Sequence, residues 1–116
     1  MRGLPSPAAE KPADPFESRL TKVLALEFMN ADFGVQELAE AIHLERSQLF
    51  RRIKDCSGLS PSKYIQHFRL DRAAELLADG QTATVSQVAY GCGFNNLSWF
   101  SKCFRERFGV SPGEFG

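Results

Sequence analysis

Apolar residues recur at helical spacing along most of the chain from residue 15 onward. Phe16, Leu20, Val23, Leu24 and Phe28 fall three or four positions apart, which predicts one helix over residues 15–30. The same test predicts six more helices, at about 35–42, 46–56, 61–78, 85–91, 96–107 and 112–115. Sustained strand alternation with β-branched residues is not found, so we predict an all-α fold of about seven helices.

Start and stop residues support these boundaries. Ser60-Pro61 and Ser111-Pro112 are strong helix starts, and two capping boxes are formed by Ser111 with Glu114 and by Thr84 with Gln87. Left-handed helix ends are expected at Gly58, Gly80 and Gly109. Asp14 is expected to cap the first helix, and residues 1–14 otherwise have the composition of a flexible linker or an expression remnant.

The chain contains an internal repeat. The Val-x-x-Leu-Ala pattern at residues 35–39 returns as Val-x-x-Val-Ala at 85–89, an offset of 50 residues. Gly-Leu-Ser-Pro at 58–61 returns as Gly-Val-Ser-Pro at 109–112, an offset of 51. Each copy consists of a helix, a tight turn, a second helix, a glycine stop and a Ser-Pro helix start. Such self-similarity indicates one supersecondary unit used twice.

Each repeat has the features of a helix-turn-helix unit. The small residues Ala39 and Ala89 allow two helices to cross closely, and the turns follow at His43 and Gly93, of which glycine tolerates positive φ better. We expect the first unit at about 35–56, a linker helix at about 61–78 and the second unit at about 85–107. The inner face of each second helix is apolar, with Leu49 and Ile53 and then Phe100 and Phe104.

Charge is balanced overall but uneven along the chain. Lysine plus arginine and aspartate plus glutamate both number 14, which by itself argues mildly against a nucleic-acid partner. However, the basic clusters at residues 46–54 and 102–107 both fall on the second helices of the repeat. A solvated face of an ordinary bundle is the alternative for either cluster alone. The linker helix, about 27 Å long at 1.5 Å per residue, suits two helices about one duplex turn apart.

The motif of the second repeat is long and specific, and it resembles the AraC/XylS family of bacterial transcription regulators. It reads Val88-Ala89-x-x-x-Gly93-Phe94-x-Asn96-x-Ser98-Trp99-Phe100-Ser101-Lys102-x-Phe104-Arg105-x-x-Phe108-Gly109-Val110-Ser111-Pro112-x-x-Phe115. The family's upstream pattern is present as Leu49-x-Arg51-x-x-Lys54, Gly58-x-Ser60-Pro61-x-x-Tyr64-Ile65 and Arg69-Leu70-x-x-Ala73-x-x-Leu76-Leu77. The resemblance covers residues 16–115, and it implies an AraC-type DNA-binding domain over residues 15–116.

The resemblance implies which residues meet double-stranded DNA. Base contacts are expected from Arg46, Ser47, Phe50 and Arg51 in the first unit and from Leu97, Ser98, Ser101 and Lys102 in the second. Phosphate contacts are expected from Arg52, Lys54, Asn96 and Arg105. The alternative for the three cations is exposure to solvent alone, and the alternative for Asn96 is a helix cap. Phe50 has a core position as its alternative, and Trp99 and Phe94 are expected in the core.

Three residues depart from the family pattern. Lys102 stands where arginine is usual, which weakens bidentate readout of guanine. Glu45 replaces a serine or threonine cap before the first recognition helix, and its charge would repel a nearby phosphate. Trp99 replaces tyrosine or histidine. The base preference of this chain is therefore left open.

The expected function is sequence-specific DNA binding by the output domain of a longer bacterial regulator. A two-component response regulator or hybrid sensor is one context, and a sugar-sensing cupin partner is the alternative. Expected partners are promoter DNA, RNA polymerase and a fused sensing, receiver or dimerisation domain, without membrane contact. The rival interpretation is a helical adaptor that contacts RNA polymerase or another protein. We expect no catalytic set, metal or cofactor, and three widely spaced cysteines indicate a reducing cytoplasm.

Overall fold

A computed structural model describes residues 15–80 and 83–115, and within these ranges the fold is all-helical. Seven helices follow in order: α1 (Pro15–Glu27), α2 (Val35–Ala41), α3 (Arg46–Ser57), α4 (Pro61–Ala78), α5 (Val85–Gly91), α6 (Leu97–Phe108) and α7 (Pro112–Phe115). The predicted all-α class and all seven helices are confirmed. The expected linker at residues 1–14 and the Asp14 cap lie outside the described residues.

Side-chain hydrogen bonds cap the helices at the predicted start positions. Ser60 Oγ accepts a hydrogen bond from the Lys63 backbone N–H at 3.2 Å, and Thr84 and Gln87 cap each other at 3.1 and 2.8 Å. These bonds satisfy backbone donors that have no partner inside a helix. At the start of α3, Gln48 Oε1 accepts from the Glu45 backbone N–H at 3.0 Å, a contact that was not predicted.

Helix α1 ends at Glu27, three residues before the predicted end. The apolar spacing continues to Phe28, but the backbone tightens there, because Asn30 N–H bonds the Glu27 carbonyl instead of the carbonyl four residues back. The carbonyl of Phe28 accepts instead from the guanidinium of Arg69, 41 residues later, at 3.0 Å. A partner from a distant helix therefore replaces the hydrogen bonds that a longer α1 would have made.

The buried side chains form two clusters that meet on α4. The first cluster joins α1, α2 and α3 to the N-terminal half of α4 through Ile65. The second joins α5 and α6 to the C-terminal half of α4 through Leu70 and Ala73. Each helix-turn-helix unit thus has its own apolar core, and one 18-residue helix closes both.

The two turns of the repeat share a left-handed backbone but differ in their surroundings. His43 has φ 61° and an exposed side chain, whereas Gly93 has φ 91° and is buried. A Cβ atom on Gly93 would lie 2.2 Å from the carbonyl oxygen of Phe28. The second turn therefore requires glycine for two reasons, the positive φ and the lack of space for a Cβ atom. The first turn, at His43, requires only the positive φ.

We predict that Gly93→Ala lowers the free energy of unfolding by clearly more than Gly58→Ala. Both substitutions place a side chain in the left-handed region, which costs about 1–2 kcal/mol, but a Cβ on Gly58 meets nothing within 4 Å. Urea denaturation of both variants gives the comparison. Equal losses would mean that the contact with Phe28 is not tight.

Candidate nucleic-acid interface

Helix α3 turns one apolar side inward and leaves its predicted contact residues outside. Leu49 and Ile53 are fully buried in the first core. The exposed residues of the same helix include all four predicted base-contact residues, Arg46, Ser47, Phe50 and Arg51. Phe50 is 51% exposed, so its alternative assignment to the core is wrong. An exposed phenyl ring beside cationic side chains can make the apolar contact that a thymine methyl group offers.

Helix α6 repeats this arrangement. Phe100 and Phe104 are fully buried in the second core. Of the predicted contact residues, Leu97, Ser98 and Lys102 are exposed and Ser101 is half-buried. Asn96 caps the helix, because its Oδ1 accepts from the Trp99 backbone N–H at 2.8 Å. That bond occupies the side-chain oxygen and leaves the amide group as the donor for any outside partner.

Trp99 lies on the surface, and its predicted core position is wrong. The side chain is 50% exposed, while Phe94, the other aromatic expected in the core, is buried at 7%. The buried residues of α6, Phe100, Cys103 and Phe104, cover an arc of about 100° around the helix, and Trp99 lies outside that arc, about 40° beyond Cys103. The Lys102 ammonium lies over the indole ring, 5.5 Å from the ring centroid.

The basic cluster of the second unit is partly neutralised by ion pairs. Lys102 Nζ lies 2.7 Å from Glu106 Oε2, one helical turn away. This hydrogen bond raises the pKa of Lys102 and lowers the pKa of Glu106. Both side chains are exposed, so the pair is weak and water competes for it. Lys102 keeps further N–H donors for an outside anion, but its positive charge is already partly compensated by Glu106.

Arg107 has a structural partner on α4. Its Nε and Nη2 donate to the two carboxylate oxygens of Asp71, at 2.8 and 3.0 Å. Its Nη1 lies 3.0 Å from Nδ1 of His67. This bidentate pair ties α6 to α4, so Arg107 does not belong to the free positive face. Arg105 is exposed and forms no ion pair within the described residues.

The other predicted phosphate contacts occupy different sides of α3. The guanidinium carbon of Arg52 lies 4.3 Å from the ring centroid of Phe16, so this side chain stacks against α1. Its flat face is used by the ring, while its N–H groups point outward in the plane and can still donate. Lys54 is exposed near the C-terminal end of α3.

The exposed faces of α3 and α6 flank the same end of α4. One groove is bordered by Arg46, Ser47 and Phe50 on α3 and by Ser62 in the first turn of α4. A second cleft is bordered by Ser62 again and by Trp99 on α6. Because Ser62 reaches both, the two helices border one continuous surface that crosses the N-terminal half of α4.

The three cysteines carry free thiols. Burial raises the pKa of Cys92 to about 11 and also raises the pKa of Cys103. Both thiols therefore stay protonated near neutral pH, which is the state of an unreactive packing residue. In the described part of the chain, no helix has the length and apolar composition needed to cross a membrane.

Comparisons with known proteins agree with this geometry. A family model described as a helix-turn-helix domain matches residues 38–116. Histidine kinase P4 of Formosa agariphila is 33% identical over 94 residues, which are 81% of this chain and 7% of the kinase. The chain spans 7% to 34% of the length of the curated relatives it matches.

Solved structures share the fold. The C-terminal domain of AraT, a response regulator from Geobacillus stearothermophilus, superposes with a TM-score of 0.78 at 26% identity, covering 90% of this chain and 86% of that domain. The DNA-binding domain of AdpA, a global transcriptional factor solved in complex with target DNA, superposes with a TM-score of 0.75 at 27% identity, covering 87% and 88%.

We predict that Glu106→Gln returns the pKa of Lys102 toward its ordinary value, because the carboxylate that raises it is gone. The pKa is measured by NMR titration of the Lys102 side chain. Glu75→Gln, which removes the partner of Arg72 instead, serves as control and leaves Lys102 unchanged. An unaltered Lys102 pKa in the Glu106→Gln variant would show that the pair does not form in solution.

Proposed function

Because the chain belongs to the AraC-type helix-turn-helix family, we propose that it binds a specific double-stranded DNA sequence as the output domain of a bacterial transcription regulator. The observation that carries this proposal is the common surface of α3 and α6. Two adjoining clefts at the first turn of α4 are lined by Arg46, Ser47 and Phe50 of α3 and by Trp99 of α6. A duplex lying along that surface would present two successive major-groove faces to the chain.

The dimensions support two adjacent groove contacts. Helices α3 and α6 have 12 residues each, so each is about 18 Å long and has the diameter of a recognition helix. The described part of the chain extends 39 by 37 Å in its two longest directions, and successive major-groove faces on one side of a duplex are about 34 Å apart. One copy of the chain is thus large enough to span two grooves.

In the first unit we propose that Arg51 reads guanine through its two-pronged guanidinium, which matches the O6 and N7 acceptors. Phe50 would pack against a thymine methyl group, and Arg46 and Ser47 would reach neighbouring base edges. Arg52 and Lys54 are proposed to contact phosphates, which sets the orientation of the unit on the duplex.

In the second unit we propose base contacts from Leu97, Ser98, Ser101 and Lys102. Lys102 is already paired with Glu106, so the neighbouring carboxylate reduces its net contribution to DNA binding. Asn96 and Arg105 are proposed to donate to phosphates, because Asn96 keeps a free amide group while it caps α6. Readout by the second unit then rests less on charge than readout by the first.

The wider context is also a proposal. Since the chain matches only part of its curated relatives, we infer that it serves as one portion of a longer regulator in the bacterial cytoplasm. The histidine kinase and the response regulator among its relatives favour a two-component system over a sugar-sensing partner. RNA polymerase is the expected protein partner at the promoter.

Selection of bound duplexes from a random pool, followed by gel shifts at several salt concentrations, tests the proposed function. We expect one enriched motif with two parts, and an affinity that falls linearly with salt on logarithmic axes, because bound cations are released from phosphates. A chain that selects no motif and binds no duplex at low salt would instead act as a helical adaptor.

We predict that Arg51→Ala lowers affinity for the selected site by about 1–3 kcal/mol and relaxes the preference at one base pair. Arg105→Ala is the matched comparison, because it removes a cation that is proposed to touch only phosphate. It should weaken all duplexes similarly and reduce the salt slope by about one. Equal losses on selected and random DNA for the Arg51 variant would remove Arg51 from base readout.

A further inference from the structure

The two units meet at a joint formed by Phe28, Arg69 and Gly93. Phe28 follows α1, which packs in the core of the first unit, and Gly93 is the turn residue of the second unit. Arg69 projects from α4 between them. Arg69 donates to the backbone carbonyls of Phe28 at 3.0 Å and of Asn30 and Phe33 at 2.9 Å each. Three backbone acceptors from one turn thus converge on a single guanidinium.

The repeat shows that this contact is a departure from internal symmetry. Arg19 on α1 stands 50 residues before Arg69, and each is followed by a fully buried leucine. Arg19 donates to the carbonyl of Ile42, at the turn of its own helix-turn-helix unit. Arg69 occupies the equivalent place in the second repeat but reaches the first unit instead. The same residue type therefore braces one unit in the first case and connects two units in the second.

Because Gly93 has no side chain, the turn of the second unit can approach Arg69 and the Phe28 carbonyl closely. A Cβ there would lie 2.2 Å from the Phe28 carbonyl and 2.6 Å from Arg69 Nε, so the turn of the second unit rests directly on this hydrogen bond. The equivalent residue, His43, has an exposed side chain. The turn of the second unit is therefore in direct contact with both partners of the Arg69–Phe28 hydrogen bond, whereas the turn of the first unit has no such contact at His43.

Aromatic contacts surround the joint. Phe28 comes from the first unit but packs against the second core, while its ring lies 5.9 Å from Phe68, which packs against the first core. The guanidinium of Arg72 lies 5.6 Å from the Phe28 ring and 5.5 Å from the Phe68 ring. Phe28 therefore extends from the first unit to the second core, and Phe68 and Arg72 of the shared helix α4 lie against its ring.

We propose that Arg69 is a positioning residue that sets the distance and angle between the recognition helices α3 and α6, and so sets which half-site spacing the chain accepts. This inference rests on the proposed DNA binding. Arg69 lines the cleft between Ser62 and Trp99, but its Nε and Nη2 donate to the carbonyls of the segment that follows α1, and it acts through those bonds. Loosening the joint leaves each unit intact but lets the two helices take several separations.

The test compares the chain with its Arg69→Gln variant on duplexes that carry the selected motif with 0, 1 or 2 base pairs added or removed between its two parts. The unaltered chain is expected to lose at least tenfold in affinity with each change of spacing. The variant is expected to bind the altered spacings within about threefold of its affinity for the original one. Single half-sites bind both proteins equally.

Arg19→Gln is the matched control, since it removes the equivalent arginine from a contact inside one unit. It is expected to lower thermal stability while keeping the spacing preference of the unaltered chain. Arg69→Lys, which keeps the charge and N–H donors but loses the planar guanidinium, should be intermediate. Spacing profiles of the Arg69 variants that match the unaltered chain would overturn the proposal, as would an Arg19 variant that loses its preference.

A measurement without DNA covers the case in which Arg69→Gln unfolds or no duplex binds. Residual dipolar couplings of the two units fit one alignment tensor in the unaltered chain if the joint is rigid, and two different tensors in Arg69→Lys if it is loosened. One shared tensor in the Arg69→Lys variant would overturn the positioning role. Failure of every duplex to bind, with the tensor result as expected, would overturn the DNA proposal alone.

Discussion

The structure depends on one helix being shared by two apolar cores. A unit of three short helices buries little surface by itself, and stability of small domains is limited by how much apolar area they remove from water. Helix α4 supplies Ile65 to the first core and Leu70 and Ala73 to the second, so neither core is closed without it. The two units therefore share α4 as part of both cores and are not independent domains joined by a flexible linker.

The sharing of α4 also determines which faces of α3 and α6 stay exposed and can bind a partner. The inner faces of α3 and α6 are committed to the cores through Leu49, Ile53, Phe100 and Phe104. Only their outer faces remain for recognition, and α4 holds those faces beside a common surface. Arg107 likewise has a structural role, because its ion pair with Asp71 holds α6 against α4. A net charge of zero is thus compatible with a positive outer face on α3.

Helix positions and the two-unit architecture could be predicted from local signals. Capping pairs such as Thr84 with Gln87 and glycine stops such as Gly58 act over a few residues, so they are visible in sequence. The proposed contact residues on α3 could be predicted to lie outside because buried Leu49 and Ile53 define the inner side. Trp99 is the exception, since its hydrophobicity suggests the core although it lies outside the arc of α6 that Phe100, Cys103 and Phe104 bury.

The sequence by itself determined the helices, the repeat and the outer faces, because these follow from backbone periodicity and from interactions between near neighbours. Only the tertiary structure decided where α1 ends, that Arg107 is paired with α4 and how the two units are joined. Those features rest on contacts between residues far apart in the chain, such as Arg69 with the Phe28 carbonyl and Arg107 with Asp71. An arginine looks the same in sequence whether it braces its own unit, as Arg19 does, or connects two, and only packing distinguishes the cases.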